Sequence, residues 1–180
     1  MQTITSKMTS VNTSQLPAVW KKINWDWWAL QRLTKKLRIV DYGCGRKATQ
    51  EKVYLFLKMQ KQSIDYFPYD PYWVDADTNG LAMRCLTLYN EADICVCANV
   101  LNVIDNLTTL NEIIQNIVKA EEFVVQIYEG DKSRQGKKSK EDCYQRNEPA
   151  EDYQKLIESI CHMKTFRRGN IIYSHQDLIK

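Results

Sequence analysis

Residues 92–100, ADICVCANV, form a nearly unbroken apolar run, and that run narrows the fold more than any other feature of the chain. A strand without polar alternation is covered on both faces, which implies a parallel sheet with helices on each side. The neighbouring pattern agrees. Leu110, Ile113, Ile114, Ile117 and Val118 recur at helical spacing, 123–128 reads as a second buried strand, and Tyr153, Leu156, Ile157, Ile160 and Cys161 repeat the helical stripe. Upstream, 37–42 is a short apolar run ended by Gly43, 48–61 carries Val53, Phe56, Leu57 and Gln60 on one side, and 63–69 reads as a strand stopped by Asp70-Pro71. The chain closes with runs 163–168 and 171–174 around Gly169-Asn170, the punctuation of a hairpin.

This order predicts a three-layer α/β domain with a mostly parallel sheet and an antiparallel C-terminal hairpin at one edge. A single domain is expected over 1–180, with an irregular Ser/Thr/Gln-rich arm over 1–15, a helix over 18–36 and the core over 37–174. In 71–90 the pattern is weak, and only 81–88 suggests a short surface helix.

Composition excludes several classes. A chain of 180 residues buries roughly 70% of its unfolded surface and needs no disulfide or structural metal. The net charge of +3 does not by itself argue for a nucleic-acid partner. The first ten residues lack the apolar core of a signal peptide, and no stretch approaches a membrane span, so a cytoplasmic protein without a membrane partner is expected. The six cysteines include no CxxC pair and are joined by two histidines, which suits free thiols and no metal site.

In such a sheet, ligands bind beyond the carboxyl ends of the strands, near the reversal of strand order. The candidate segments are 41–47, 70–73, 99–102 and 128–140. In DYGCGRK, Gly43 and Gly45 allow a sharp turn and a close backbone approach. Asp70, at the end of the next strand, can accept hydrogen bonds from a ribose, or it can simply start the turn before Pro71. Cys44 reads as a small side chain fitting the turn, and Cys95 and Cys97 as core residues. Should a substrate need deprotonation, Asp41, Glu129 or one of the two histidines is a candidate base, although neither His162 nor His175 has a catalytic context in the sequence. Trp20, Trp25, Trp27 and Trp28 are spaced for packing on the sheet rather than stacking on a ligand. The loop 132–140 carries Lys132, Arg134, Lys137, Lys138 and Lys140, a group that can grip phosphates or can simply be a solvated charged loop.

RIVDYGCGRKAT, YFPYDPYW and EADICVCANVLNVI together resemble the first, second and fourth motifs of class I S-adenosylmethionine-dependent methyltransferases. The likeness extends over about 10–174 and is greatest to small methyltransferase-like proteins associated with DNA phosphorothioation genes and to phage-encoded ones. It implies S-adenosylmethionine as cofactor. Asp41, Gly43, Cys44 and Gly45 would serve its amino-acid end, Asp70 the ribose, and Pro71, Tyr72 and Trp73 the adenine. Asn99, Val100 and Leu101 would line the floor near the reactive methyl, with Asn102, Tyr128, Lys137 and Lys138 toward the substrate. Two departures stand out. Lys47 replaces the third glycine of the loop, and the stretch between Asp70 and Asp93 is too short for a helix-strand-helix. The sequence ANVLN lacks the Asn/Asp-Pro-Pro-aromatic signature of amino-directed nucleic-acid enzymes, which disfavours base-amino methylation of DNA. A nucleic acid, met through the basic loop 132–140, or a nucleotide-related molecule is the expected acceptor, with a non-catalytic S-adenosylmethionine-binding or protein-interaction module on the same fold as the alternative. The acid preceding the glycines speaks against a nicotinamide-dependent oxidoreductase.

Overall fold

The computed structural model describes residues 15–31, 35–140 and 143–180. The arm expected over 1–15 therefore lies outside the described residues except for Gln15. In chain order the elements are α1 (Val19–Lys22), α2 (Trp25–Gln31), β1 (Leu37–Tyr42), α3 (Lys47–Lys58), β2 (Ile64–Tyr69) and α4 (Ala76–Met83). A single π-helical turn, Arg84–Leu88, continues α4. Then come β3 (Ile94–Ala98), a 3-10 turn (Leu101–Val103), α5 (Leu107–Ile117), β4 (Glu122–Gln126), β5 (Lys137–Lys140), β6 (Cys143–Gln145), α6 (Ala150–Cys161), β7 (Phe166–Arg168) and β8 (Ile171–Tyr173).

The main sheet has the order β2-β1-β3-β4-β8-β7. The first four strands run parallel, and β8 joins β4 antiparallel and carries β7 as its hairpin partner. The mostly parallel, three-layer architecture expected from the apolar runs is the one observed. Successive strand residues separate cleanly between the two faces: Leu37, Ile39, Ile94, Val96 and Val124 pack with α1, α2 and α3. Val40, Tyr42, Cys95, Cys97, Phe123 and Val125 pack with α5, α6 and the helix continued by the π turn. Both faces of β3 are thus apolar, which is the physical reason its sequence shows no alternation.

The single helix expected over 18–36 is instead two pieces within the described residues. Ile23 is extended (φ −60°, ψ 136°) and pairs with Ile179 near the C-terminus. The N–H of Lys180 donates to Lys22 O and that of Asn24 to Leu178 O. Three tryptophans hold this strap on the sheet: Trp20, Trp25 and Trp28 are buried, and the Trp25 indole N–H donates to Trp20 O at 2.9 Å. Trp27 is half-buried and stacks on His175.

In the weakly patterned region a longer helix forms than the sequence suggests. Asp75 caps α4, its side chain accepting from Thr78 N–H at 2.9 Å, and Ala82, Cys85 and Leu86 are buried against the sheet. No strand separates this helix from β3, in keeping with the shortness of 70–93.

Trp20 is fully buried beneath the strap. Trp20→Ala should cost about 3–5 kcal/mol of unfolding free energy, read as a lower urea midpoint at unchanged slope. A cost below about 1 kcal/mol would mean that the strap adds nothing to the core.

Candidate functional site

The chain leaves β1 toward β2 on one side and later builds β3 and β4 on the other, so the strand order reverses between β1 and β3. The turn after β1 and the turn after β3 meet at this point. Gly43 (φ +78°) and Gly45 (φ +73°) both take left-handed backbone. The N–H groups of Gly43 and Cys44 donate to Tyr69 O at 2.7 and 3.1 Å, which ties the glycine turn to the end of β2. A Cβ on Gly43 would lie 2.2 Å from Val100 Cγ2, so the turn after β3 is seated directly on this glycine. A Cβ on Gly45 would meet nothing within 4 Å, which leaves that stretch of backbone facing open space.

Asp70 braces the neighbourhood. Its Oδ2 accepts from Gly45 N–H at 3.1 Å, and its Oδ1 accepts from Tyr72 N–H at 2.9 Å and Trp73 N–H at 3.2 Å. A carboxylate offers about four lone-pair sites, so these three donors leave room for one more, on Oδ2. The turn-starting role weighed from the sequence is therefore present, and the two ribose hydrogen bonds expected of this side chain reduce to one available position. Burial raises the Asp70 carboxyl above its ordinary value, opposed by the N–H groups of Tyr72, Gly45 and Trp73. Asn79 secures the loop from behind, accepting from Asp70 N–H at 2.9 Å and donating to Asp70 O and Val74 O.

Asp41 is buried at the end of β1, where the Tyr66 hydroxyl donates to its Oδ2 at 2.7 Å. Burial pushes its carboxyl from 3.8 up to about 7; the tyrosine hydrogen bond pulls it down and the nearby Asp70 charge adds to the rise. Tyr66, on β2, has no signal in the sequence that would link it to this acid.

The turn after β3 is equally specific. Asn99 takes left-handed backbone (φ +60°), and its N–H donates to Gln126 O. Leu101, Asn102 and Val103 are buried. Asn102 Nδ2 donates to Gln145 Oε1 at 3.0 Å, and Gln145 Nε2 donates to Tyr128 O at 3.0 Å. This relay runs through β6, part of a two-stranded ribbon with β5 in the stretch expected to be a loop. The strands there are short and mostly charged or polar, so they read as loop in the sequence.

The remaining candidates are more peripheral. Tyr72 and Trp73 are partly exposed, and the Arg46 guanidinium lies 4.6 Å from the Trp73 ring centroid. Pro71 and Lys47 are exposed, the latter as the first residue of α3. Tyr128, Lys137 and Lys138 are exposed. Within the basic segment Lys132 pairs with Glu129 at 2.9 Å and Arg134 with Asp152 at 2.7 Å. Glu129 also accepts from Ala150 N–H at the start of α6, which holds it below its ordinary value and assigns it to capping rather than proton transfer. His162 ends α6, and His175 accepts from Asp177 N–H. Cys44 is buried, and burial pushes its thiol far up, so it is no nucleophile.

No protein-family model matches the chain, and no curated protein is similar enough in sequence to match. Among solved structures, the chain is similar to the 1,6-didemethyltoxoflavin-N1-methyltransferase of Burkholderia thailandensis, determined with 1,6-didemethyltoxoflavin and S-adenosylhomocysteine bound. The TM-score is 0.50, at 13% identity over 87% of this chain and 78% of that one. The DszA carbon methyltransferase aligns at a TM-score of 0.49 and 14% identity, over 85% of this chain and 52% of that one, so the chain spans about half of its length. The likeness to the first is one of fold: the chain has the Rossmann-like fold of a methyltransferase.

Two outcomes test this geometry. Gly43→Ala should lose about 1–3 kcal/mol of stability from the contact with Val100 and the left-handed backbone, and adding Val100→Ala should restore the steric part, read by chemical denaturation. A Gly43→Ala protein as stable as the parent would remove the seated contact. Asp41 binds its proton more tightly folded than unfolded, so its contribution is complete below about pH 4 and is lost as pH rises to about 7. Stability relative to Asp41→Asn should therefore fall across that window; a flat difference would show that the acid ionises normally.

Proposed function

We propose that the chain binds S-adenosylmethionine at the β1/β3 reversal and directs transfer of its methyl group to a small or nucleotide-related acceptor. The observation that carries this reading is the pairing of an open, left-handed Gly45 backbone with the remaining acceptor position on Asp70 Oδ2. A ligand with a ribose and a flexible amino-acid tail fits such a cradle. The bound cofactor supplies an already activated leaving group, so positioning and exclusion of water are the main tasks left to the protein.

In this reading Asp70 accepts one ribose hydroxyl, and the turn 43–45 lies along the amino-acid tail beside Asp41. Pro71, Tyr72 and Trp73 flank the adenine, with Arg46 on the Trp73 ring face. Asn99, Val100 and Leu101 form the floor. Glu129 is committed to α6 and Asp41 is buried with Tyr66 on its Oδ2, so no acid–base residue is assigned, and an acceptor that is nucleophilic without deprotonation suits the site. Lys137 and Lys138, on the ribbon that carries Gln145, are the cations best placed to meet a phosphate-bearing acceptor, since Lys132 and Arg134 are engaged by acids. Among the described residues no helix is long and apolar enough to cross a membrane, and the buried thiols suit a reducing compartment such as the cytoplasm.

Calorimetric titration with S-adenosylmethionine, S-adenosylhomocysteine and NAD is the test. Micromolar or tighter binding of the first two alone is expected, and Asp70→Ala should weaken it by about 1.5–3 kcal/mol, with thermal melting run alongside because the same carboxylate braces two turns. Absence of binding, or binding of NAD in preference, overturns the reading. Binding without methyl transfer to any acceptor would move the chain to the non-catalytic alternative.

A further inference from the structure

At the opposite end of β2 from Asp70, the last turns of α3 and the first residues of β2 leave a cavity of about 200 Å³ between them. Its base is apolar, with Leu57 2% exposed and Ile64 half-buried. Two tyrosine rings form its sides. Tyr54 and Tyr66 have centroids 6.5 Å apart and planes tilted by 40°, so the rings splay rather than pack face to face. The Tyr66 hydroxyl is already given to Asp41 Oδ2, so what this side chain offers the cavity is its ring. A space of this size takes a single ring, since an apolar cavity of about 150 Å³ holds benzene.

Two polar side chains complete the lining. Lys58 holds its ammonium 4.5 Å from the Tyr54 ring centroid, and no acid lines the cavity to balance it. Gln62 is the other, and both of its amide atoms, Nε2 and Oε1, are buried without a hydrogen-bond partner among the described residues. Elsewhere among those residues an unpaired buried side chain lacks a partner at one atom, whereas Gln62 lacks a partner for donor and acceptor together. Native structures keep few such groups without a reason. The amide is shut off from solvent as it stands, but no hydrogen bond pins it. Rotation about its side-chain bonds turns it to an occupant of the cavity that Gln62 lines.

We propose that this cavity is a second ligand site, separate from the cofactor cradle, for one flat uncharged ring that carries an amide-like edge, a donor beside an acceptor. The ring lies on Leu57 against Tyr54 and Tyr66. Its edge pairs with Gln62, donating to Oε1 and accepting from Nε2, so that both orphaned atoms are satisfied at once. A ring with an acceptor alone or a donor alone satisfies one of them and leaves the other unpaired. A cationic ligand meets Lys58 with no acid in the lining to offset the repulsion. The site stands or falls without reference to methyl transfer, because no residue of the glycine turn or of 70–73 lines it.

The test titrates the full chain, near neutral pH, with four probes of one ring each: benzamide (donor and acceptor), acetophenone (acceptor), aniline (donor) and toluene (neither), followed by backbone amide NMR shifts. Benzamide should bind about tenfold or more tightly than the other three, with shifts centred on 54–66 and not on 43–45 or 70–73. Gln62→Met keeps an unbranched side chain and should bring benzamide down to the affinity of toluene while leaving toluene unchanged, which a loss of packing would not do. Tyr54→Ala, at a residue 45% exposed, should weaken all four together. Should Gln62→Met fail to fold, the parent's order of affinities and Tyr54→Ala decide. No binding of benzamide at millimolar concentration, equal binding of the four probes, a preference that survives Gln62→Met, binding indifferent to Tyr54→Ala, or shifts centred on the glycine turn each overturns the proposal.

Discussion

Burial of the central sheet on both faces governs nearly everything else in this chain. Once β1 and β3 are covered by helices above and below, a polar side chain within them has no solvent to meet, and chemistry is confined to the strand ends. The exception proves costly in a visible way. Asp41, the last acid inside β1, is buried, takes a hydrogen bond from Tyr66 and has its carboxyl pushed to about 7. The strand ends gather at the order reversal, and there the two turns interlock, Val100 against Gly43. A glycine is required at that position by space as well as by backbone geometry, while at Gly45 only the backbone geometry requires it and the space is left open.

The two acids of the site are stabilised by different means. Asp70 keeps company with three backbone N–H groups, which compensate an anion held out of water. Asp41 has a single tyrosine hydroxyl, and its burial favours the protonated form. Ionisation of Asp41 is further opposed by the nearby Asp70 charge.

Much of the architecture is legible in the sequence because long apolar periods leave little freedom. The run at 92–100 and the stripes at 110–118 and 153–161 each admit one element and one buried face. The strap at 18–36 reads as a single helix because its tryptophans keep helical spacing; the break at Ile23 comes from pairing with Ile179, more than 150 residues away, and no local pattern records that. The ribbon of β5 and β6 escapes for the opposite reason. Its four and three residues are mostly charged or polar and lack any apolar alternation, so tertiary contacts, among them Arg146 N–H to Asn102 O, decide it. In the site, Gly43, Gly45 and Asp70 are visible as residue types at strand ends. Tyr66, Asn79 and Gln145 are not, because each acts on a partner distant in sequence or on backbone atoms that any residue supplies.

The shortness of 70–93 leaves β2 as the sheet edge, and the sequence compensates strand residue by strand residue. Ser63 O and Tyr69 O accept from Leu37 and Gly43 on the β1 side, so odd-numbered residues of this strand face inward and even-numbered ones face out. Pro68 is even-numbered, and its missing N–H falls on the outer edge, where no ladder needs it and where it discourages a second chain from pairing. Asp70 is even-numbered too, and its backbone would point outward unpaired if β2 stood alone. Asn79, one turn into α4, meets both its N–H and its C=O, doing for one residue what a further strand would do for a row of them. The helix that replaces a strand thus holds the loop bearing the Asp70 carboxylate, and one asparagine serves both the end of the edge strand and the site beside it.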